Sequence, residues 1–440
     1  VACFNITGGW HETRVPQLTM HVPCKAYVYL AQGIRSAVSV PVIASNRIND
    51  PGLGEEVLRE GQADLITMAR ALLADPELPN KALQGKEELI THCVACNQGC
   101  FDRVFQFEPA TCMVNPAAGK ETELLVTPTP RKKKVLVIGG GPAGMKAAIT
   151  ASDRGHQVTL VEKSSRLGGQ ILLNKKIPGR ETLLLAAEDM ERNLKARPVE
   201  ILLGQEADEA FIRAQAPDAL IVATGATPLL PSIPGIDDSK VMLAWDVLAG
   251  IATVGKKVII VGGNAVGLET ALYLASHGTL SPEVLHFLMV NKAESPDMIE
   301  KLLNRGDKEV CVVEMTKKVG QDIGNSTRWT VMAELKRLGV KTITGARATE
   351  VTDDGLRIQK DTREELLPAD SIVIATGSRP ENRLASIVGL APEVFVIGDA
   401  KKPLKVVANL PYNITVPILE KLLLQRSHIE NVVVMVQKEM

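Results

Sequence analysis

The chain lacks most of the features that would commit a protein to a nucleic acid, a membrane or the cell exterior. Its 440 residues hold 50 Lys plus Arg against 51 Asp plus Glu, a net charge of −1, so no excess of one sign recommends a nucleic acid or an acidic surface as partner. No apolar run reaches the ~18 residues that a membrane helix needs. The opening stretch, VACFNITGGWHETR, has neither the basic region nor the apolar core of a signal peptide. It also lacks a starting Met, and the expectation is an N-terminal truncation. Cysteine is scarce. There are 7 in all, and Cys3, Cys24 and Cys311 stand alone, which excludes a disulfide-stapled scaffold. The expected setting is a reducing cytoplasm, where clustered thiols are more often metal ligands than disulfides. What remains is 45% apolar and 23% charged residues, an ordinary globular composition. The length suits roughly two to four domains.

Residues 1–90 alternate short β-branched runs (VACFNIT, VSVPVIAS, ADLITMAR) with helix-like segments (KAYVYLAQGIRSA, GLGEEVLREG). That alternation predicts βα units and a parallel sheet. Residues 91–128 are irregular, and TPTPRKKK after them reads as a solvated basic tether.

Next comes KKKVLVIGGGPAGMKAAITASDRGHQVTLVEK. A strand enters Gly139-x-Gly141-x-x-Gly144, an Ala-rich helix follows, and a second strand ends on Glu162. This is a dinucleotide fingerprint in full context. Gly139 permits the tight turn, Gly141 lets backbone approach a pyrophosphate, and Gly144 packs helix on strand. The helix N-terminus faces the phosphates, and Glu162 can accept from a ribose hydroxyl. A second copy, KKVIIVGGNAVGLETALYLASHG, places Asn264 between Gly262 and Gly267. After an insertion at about residues 277–307, its next strand, KEVCVVEM, ends at Glu314. An acid there favours a free ribose 2′-hydroxyl, hence NADH over NADPH. Two further strands resemble each other, ALIVATGATP (with Gly225) and SIVIATGSRP (with Gly377), and EVFVIGDA closes the series with Gly398 and Asp399.

Between the βα region and the first fingerprint lies THCVACNQGCFDRVFQFEPATC. Its spacing is Cys93-x2-Cys96-x3-Cys100-x11-Cys112. Zinc accepts four thiolates but usually from two separated CxxC pairs. Three cysteines crowded in one turn with a fourth nearby suit the corners of a [4Fe–4S] cubane. Thiolate chemistry alone permits either metal. His92 abuts the group as a further candidate ligand, against the simpler reading of a satisfied or exposed histidine.

The order of fingerprints, ATG strands and late Gly-Asp resembles the flavoprotein reductases with two dinucleotide folds. The WHETRVP, SNRIND and MARALLADPEL segments, the cysteine spacing and GGGPAG…VEK…GGQ together resemble the 2,4-dienoyl-CoA reductase and 2-enoate reductase family over residues 1–402. The resemblance implies an α/β fold: the C-terminal part of a TIM-type flavin barrel (1–90), an iron–sulfur segment (91–128), an FAD domain (129–235 and 369–402) and a nested NAD(P)H domain (236–368). It implies FAD at Gly139, Gly141, Ala143, Gly144, Glu162, Gly169, Gln170, Arg180, Gly225, Gly398 and Asp399. The dinucleotide would meet Gly262, Asn264, Gly267, Glu314 and Gly377. Arg47, Ala69 and Arg70 would hold FMN. His11 would polarise a substrate carbonyl or assist proton delivery, and Glu12, Thr13, Arg14 and Val15 would line a small enoyl or enoate substrate. The implied activity is NAD(P)H-dependent reduction of activated C=C bonds through FAD, the cluster and FMN. An amine-dehydrogenase-like enzyme and a bare electron-transfer module are the alternatives.

Two departures accompany the resemblance. Residues 1–90 supply three barrel strands where a closed barrel needs eight. Residues 403–440, with Asn409-Leu410-Pro411-Tyr412 and VVVMVQKEM, resemble part of the rRNA adenine dimethyltransferases, which hold a flipped adenine. No glycine-rich loop is left over for S-adenosylmethionine, so a chimeric join near Asp399 is expected and methyl transfer is not.

Overall fold

A computed structural model describes residues 1–8, 15–387 and 389–402 of the chain. The expected α/β architecture is present. His11, Glu12, Thr13, Arg14 and the 403–440 segment lie outside the described residues.

Two five-stranded parallel sheets dominate. In the first the strand order is Glu393–Val396, Ala219–Val222, Lys134–Ile138, Gln157–Glu162, Val199–Leu203. Its central strand is apolar on both faces, as a parallel sheet covered on both sides requires. Val135 and Val137 pack towards Ala147 and Ala151 of the helix Pro142–Asp153, while Leu136 and Ile138 meet Ile212 on the opposite face. The second sheet repeats the plan, in the order Lys341–Thr344, Glu309–Glu314, Lys257–Val261, Ser371–Ile374, Val241–Leu243. Val258 and Ile260 pack under the helix Ala265–Ala275. Ile259 and Val261 pack with Leu356 and Ile358 of an antiparallel three-stranded layer, Ala346–Thr352, Gly355–Lys360 and Arg363–Pro368.

The strand Ser371–Ile374, grouped by the sequence reading with the flavin domain, pairs with Lys257–Val261 in the second sheet. Register decides the matter, because its apolar run continues that sheet's core. The chain returns only afterwards, through Ser378–Pro380 paired with Ala226–Pro228.

Ahead of these stands a small parallel sheet, Phe4–Ile6, Val42–Ala44 and Leu65–Ile66. Val42 and Ala44 are buried with Val28, Ala31 and Val57 from the helices Val28–Arg35 and Pro51–Arg59. The second of these helices starts on Asp50, whose carboxylate accepts from Leu53 N–H, a cap worth about 1 kcal/mol. Among the described residues no helix is long and apolar enough to cross a membrane.

Candidate cofactor-binding sites

The first fingerprint is built by close backbone contact. Gly139 has φ +107°, and a Cβ there would overlap the Ala223 carbonyl at the end of an ATG strand. A Cβ on Gly144 would overlap the Gly139 carbonyl. Glu162 closes the turn: one carboxylate oxygen accepts from Gly140 N–H (2.6 Å) and the other from Ser164 N–H (2.7 Å). Among the described residues beyond its chain neighbours and its own helix, no atom lies within 4 Å of where a Cβ on Gly141 would point, which leaves that helix N-terminus room for a phosphate. Around that opening, a Cβ on Gly169 would stand 3.1 Å from the Gly141 Cα, one on Gly225 3.6 Å from Gln170 Nε2, and one on Gly398 2.7 Å from the Ala143 Cβ. The expected FAD residues other than Arg180 and Asp399 thus converge on one rim.

The second fingerprint uses the same joints. Gly262, at φ +113°, abuts the Ala375 carbonyl, and Gly267 abuts Gly262. Glu314 accepts from Gly263 N–H and Thr316 N–H, both at 2.7 Å. Asn264 adopts the extended backbone of an N-cap. Its Oδ1 accepts from Gly267 N–H (3.0 Å) and its Nδ2 donates to the Ala375 carbonyl (2.6 Å). The larger side chain is therefore folded under the helix. Asp322 adds a second acceptor, on Ala265 N–H at 3.1 and 3.2 Å. A Cβ on Gly377, at φ +108°, would meet nothing within 4 Å among the described residues outside its chain neighbours.

The four clustered cysteines are free thiols that line one cavity with Arg70 and Asn97. Among the described residues no group of three or more His, Cys, Asp or Glu side chains is placed to hold a metal ion; the four cysteines share the lining of this cavity. Two arms bring them together. Gly99 lies flush against the Thr111 backbone, and Thr111 N–H donates to the Gly99 carbonyl at 2.5 Å, which carries Cys112 to the first turn. Within that turn buried Ala95 and Asn97 hold left-handed conformations, φ 51° and 64°, strain that persists only where the surroundings over-determine it. Burial pushes the Cys112 thiol up to about 12, and raises Cys96 further, with Cys100 and Cys112 adding to it. Cys100 is raised by burial and pulled back by Arg70. Thiols so buried ionise readily only when something positive takes their charge.

Three neighbours hold this loop: His92, weighed from sequence as a further ligand, and Asn49 and Asp102, which sequence reasoning did not single out. His92 Nδ1 sits 3.0 Å from Asp189 and its Nε2 3.0 Å from Asp50. Asp189 also accepts from His92 N–H at 2.6 Å. Burial lowers the His92 pKa, but the two carboxylates outweigh it and the net direction is up. Both ring nitrogens are thus engaged by carboxylates. Asn49 Nδ2 donates to the Cys93 carbonyl (2.8 Å). Asp102, just past Cys100, accepts from Ser326 N–H (2.8 Å) at the start of the helix Asn325–Arg337, which has no side-chain cap of its own. Burial raises the Asp102 pKa.

Of the residues expected at FMN, Arg47 is buried, with Nε on the Val22 carbonyl (2.7 Å) and Nη2 3.5 Å from Thr182 Oγ1. Ala69 is exposed before the helix Arg70–Ala74. Arg70 Nη1 donates to the Leu18 carbonyl (2.7 Å) and Asn97 Oδ1 (2.8 Å). Val15 is exposed. Arg180 is turned inward, where it pairs with Glu269 of the second fingerprint helix, both 2% exposed. Burial pushes Glu269 up to about 7 against the pull of Arg180. His21 lies beside this pair, against Gly179 and 3.4 Å from Thr330 Oγ1; burial, then Arg180, lower it to about 4.

The two nested nucleotide folds and the leading βα segment define a flavin-dependent pyridine-nucleotide oxidoreductase architecture. The chain belongs to the pyridine nucleotide-disulphide oxidoreductase family, whose model matches residues 133–408, and carries a second match at residues 13–88 to the NADH:flavin oxidoreductase / NADH oxidase family. A metal reductase of Desulforamulus reducens is 47% identical over 92% of this chain and 62% of its own length. A cinnamate reductase of Clostridium sporogenes is 34% identical over 92% and 56%. The structure of a 2-naphthoyl-CoA reductase complex superposes with a TM-score of 0.84 at 32% identity, over 95% of this chain and 60% of that one. The chain thus spans about three fifths of the length of these relatives.

Proposed function

We propose that this chain is the FAD- and NAD(P)H-binding part, with a cluster and an FMN-barrel segment, of an NADH-dependent reductase of activated C=C bonds. The observation that carries the reading is the meeting of four thiols around one cavity, between a βα segment and a flavin-type fingerprint. A single tetrahedral ion needs every sulfur about 2.3 Å from one point, whereas a cube takes one thiolate at each of four iron corners; the spacing of three cysteines within one turn with a fourth nearby favours the cube. If bound, the two flavins would supply hydride chemistry at their ends of the route and the cluster would supply one-electron transfer between them.

The chain's own residues then have distinct tasks. Gly139, Gly141 and Gly144 admit the FAD pyrophosphate to the open helix end, and Glu162 receives its ribose. Glu314, fixed by two backbone N–H groups, meets the ribose of NADH and repels the 2′-phosphate of NADPH. Asn97, Gly99 and Thr111 shape the cysteine loop. Arg47 and Arg70 supply positive charge on the barrel side, and His11 and Arg14 serve the substrate. The substrate class is an α,β-unsaturated acid or thioester, following the relatives named for cinnamate and 2-naphthoyl-CoA.

Anaerobic reconstitution with iron, sulfide, FAD and FMN tests the reading. About four iron and four sulfide per chain, with NADH oxidation faster than NADPH oxidation, is the expected result. Tight zinc with no iron uptake sinks it.

A further inference from the structure

We propose that Arg70 sets the reduction potential of the cluster held by Cys93, Cys96, Cys100 and Cys112, a role that rests on the cluster reading above. Sequence resemblance puts Arg70 at an FMN phosphate. The structure gives it a second position. Its guanidinium is the only cationic side chain among the described residues lining the cysteine cavity.

It is held there from three directions. Nη1 donates to the Leu18 carbonyl at 2.7 Å and to Asn97 Oδ1 at 2.8 Å, and the guanidinium lies 5.7 Å from the centre of the Phe101 ring. Asn97 is itself buried inside the cysteine turn and Phe101 follows Cys100 directly, so both anchors belong to the loop that carries the sulfurs. A cation tied to the ligand loop moves with it and keeps its distance from the cavity.

The sign follows from charge. Four thiolates leave a [4Fe–4S] cluster anionic, and an added electron makes it more so. A fixed cation beside it in a half-buried setting stabilises the reduced form more than the oxidised one. Arg70 therefore raises the potential of the cluster and makes it a better acceptor of an electron from FAD. Arg47, bonded to the Val22 carbonyl, does not line the cavity.

The test is a potentiometric titration of the reconstituted chain, following the electron paramagnetic resonance signal of the reduced cluster. Arg70→Gln removes the charge. Asn97→Asp leaves the arginine but neutralises it with a carboxylate, and serves if the first variant does not retain iron. Lys195→Gln, on an exposed helix end paired with Glu191, is the control. With iron content equal to that of the parent chain, either cavity variant is expected to lower the ratio of reduced to oxidised cluster about tenfold at fixed poise, a shift of about 59 mV to more negative potential. Arg70→Lys should recover most of the shift, and Lys195→Gln should show none. Loaded variants with the parent's potential overturn the assignment alone. A parent chain that takes up no iron and sulfide overturns the cluster reading as well.

Discussion

The two nucleotide-binding halves share their joints and differ in their helix ends. In both, a positive-φ glycine lies under the carbonyl of an ATG strand, a helical glycine lies on the first, and a strand-end glutamate bridges two backbone N–H groups. At the mouth they part. The half proposed for FAD opens on Gly141 and on Pro142, which has no N–H to satisfy, and among the described residues beyond its own helix nothing stands within 4 Å of where a Cβ on Gly141 would point. The half proposed for NADH arrives already capped, by Asn264 on Gly267 N–H and Asp322 on Ala265 N–H. An open helix end suits a resident cofactor that never leaves. An end satisfied by the protein's own side chains keeps its structure when a visiting dinucleotide departs.

The largest effect should come from the joints. Gly139→Ala forces a side chain into a left-handed turn and onto the Ala223 carbonyl, a combined cost of about 3–5 kcal/mol. FAD retention and urea stability of the purified protein should both collapse. Gly262→Ala carries the same strain, but FAD should remain while NADH binding is lost. A Gly262→Ala protein that still binds NADH with the parent's affinity would mean the second fingerprint is not its site.

A smaller effect belongs to the seam between the halves. His21 touches Gly179 on the flavin side and Thr330 on the nicotinamide side. The buried Arg180–Glu269 pair is close by. Its folded pKa is lowered from 6.5 to about 4, so the unfolded chain takes up a proton that the folded chain refuses. The stability from this histidine is fully present above pH 6.5 and is lost as pH falls towards 4, at no more than about 1.4 kcal/mol per pH unit. Glu269, raised to about 7, acts oppositely, losing stability as pH rises from 4.5 towards 7. Melting curves of His21→Gln should therefore show a flatter acid limb than the parent, and an unchanged limb would discard the assignment.

The smallest effect is expected at the position where the two fingerprints differ in sequence. Asn264→Gly removes a side chain folded under the helix, and NADH affinity measured by fluorescence titration should change less than about threefold, the cap itself contributing a few tenths of a kcal/mol against glycine. A change of tenfold or more would show that the asparagine meets the dinucleotide.

What could be read in the sequence was what is local. Glycine spacing, strand-end acids and a run of close cysteines are short-range signals, and their geometry follows from backbone contacts a few residues wide. Legibility failed where the partner lay far along the chain. Asp189 and Glu269 sit in helices where a carboxylate ordinarily faces water, and nothing nearby in sequence announces His92 or Arg180. Resemblance offered Arg70 only as an expected phosphate partner, and its attachment to Asn97 needed the fold. Ser371–Ile374 carries the same apolar pattern as Ala219–Val222, and pattern alone does not say which sheet a strand joins.

The helix Asn325–Arg337 begins after a glycine, with no side chain of its own to close it, and the acceptor for Ser326 N–H arrives from Asp102, 224 residues earlier. A nicotinamide unit cut free from the rest would keep its glycines and its sheet, yet this helix would fray from its first turn. The unit is continuous on paper but incomplete as an object, because the loop carrying the sulfurs finishes it.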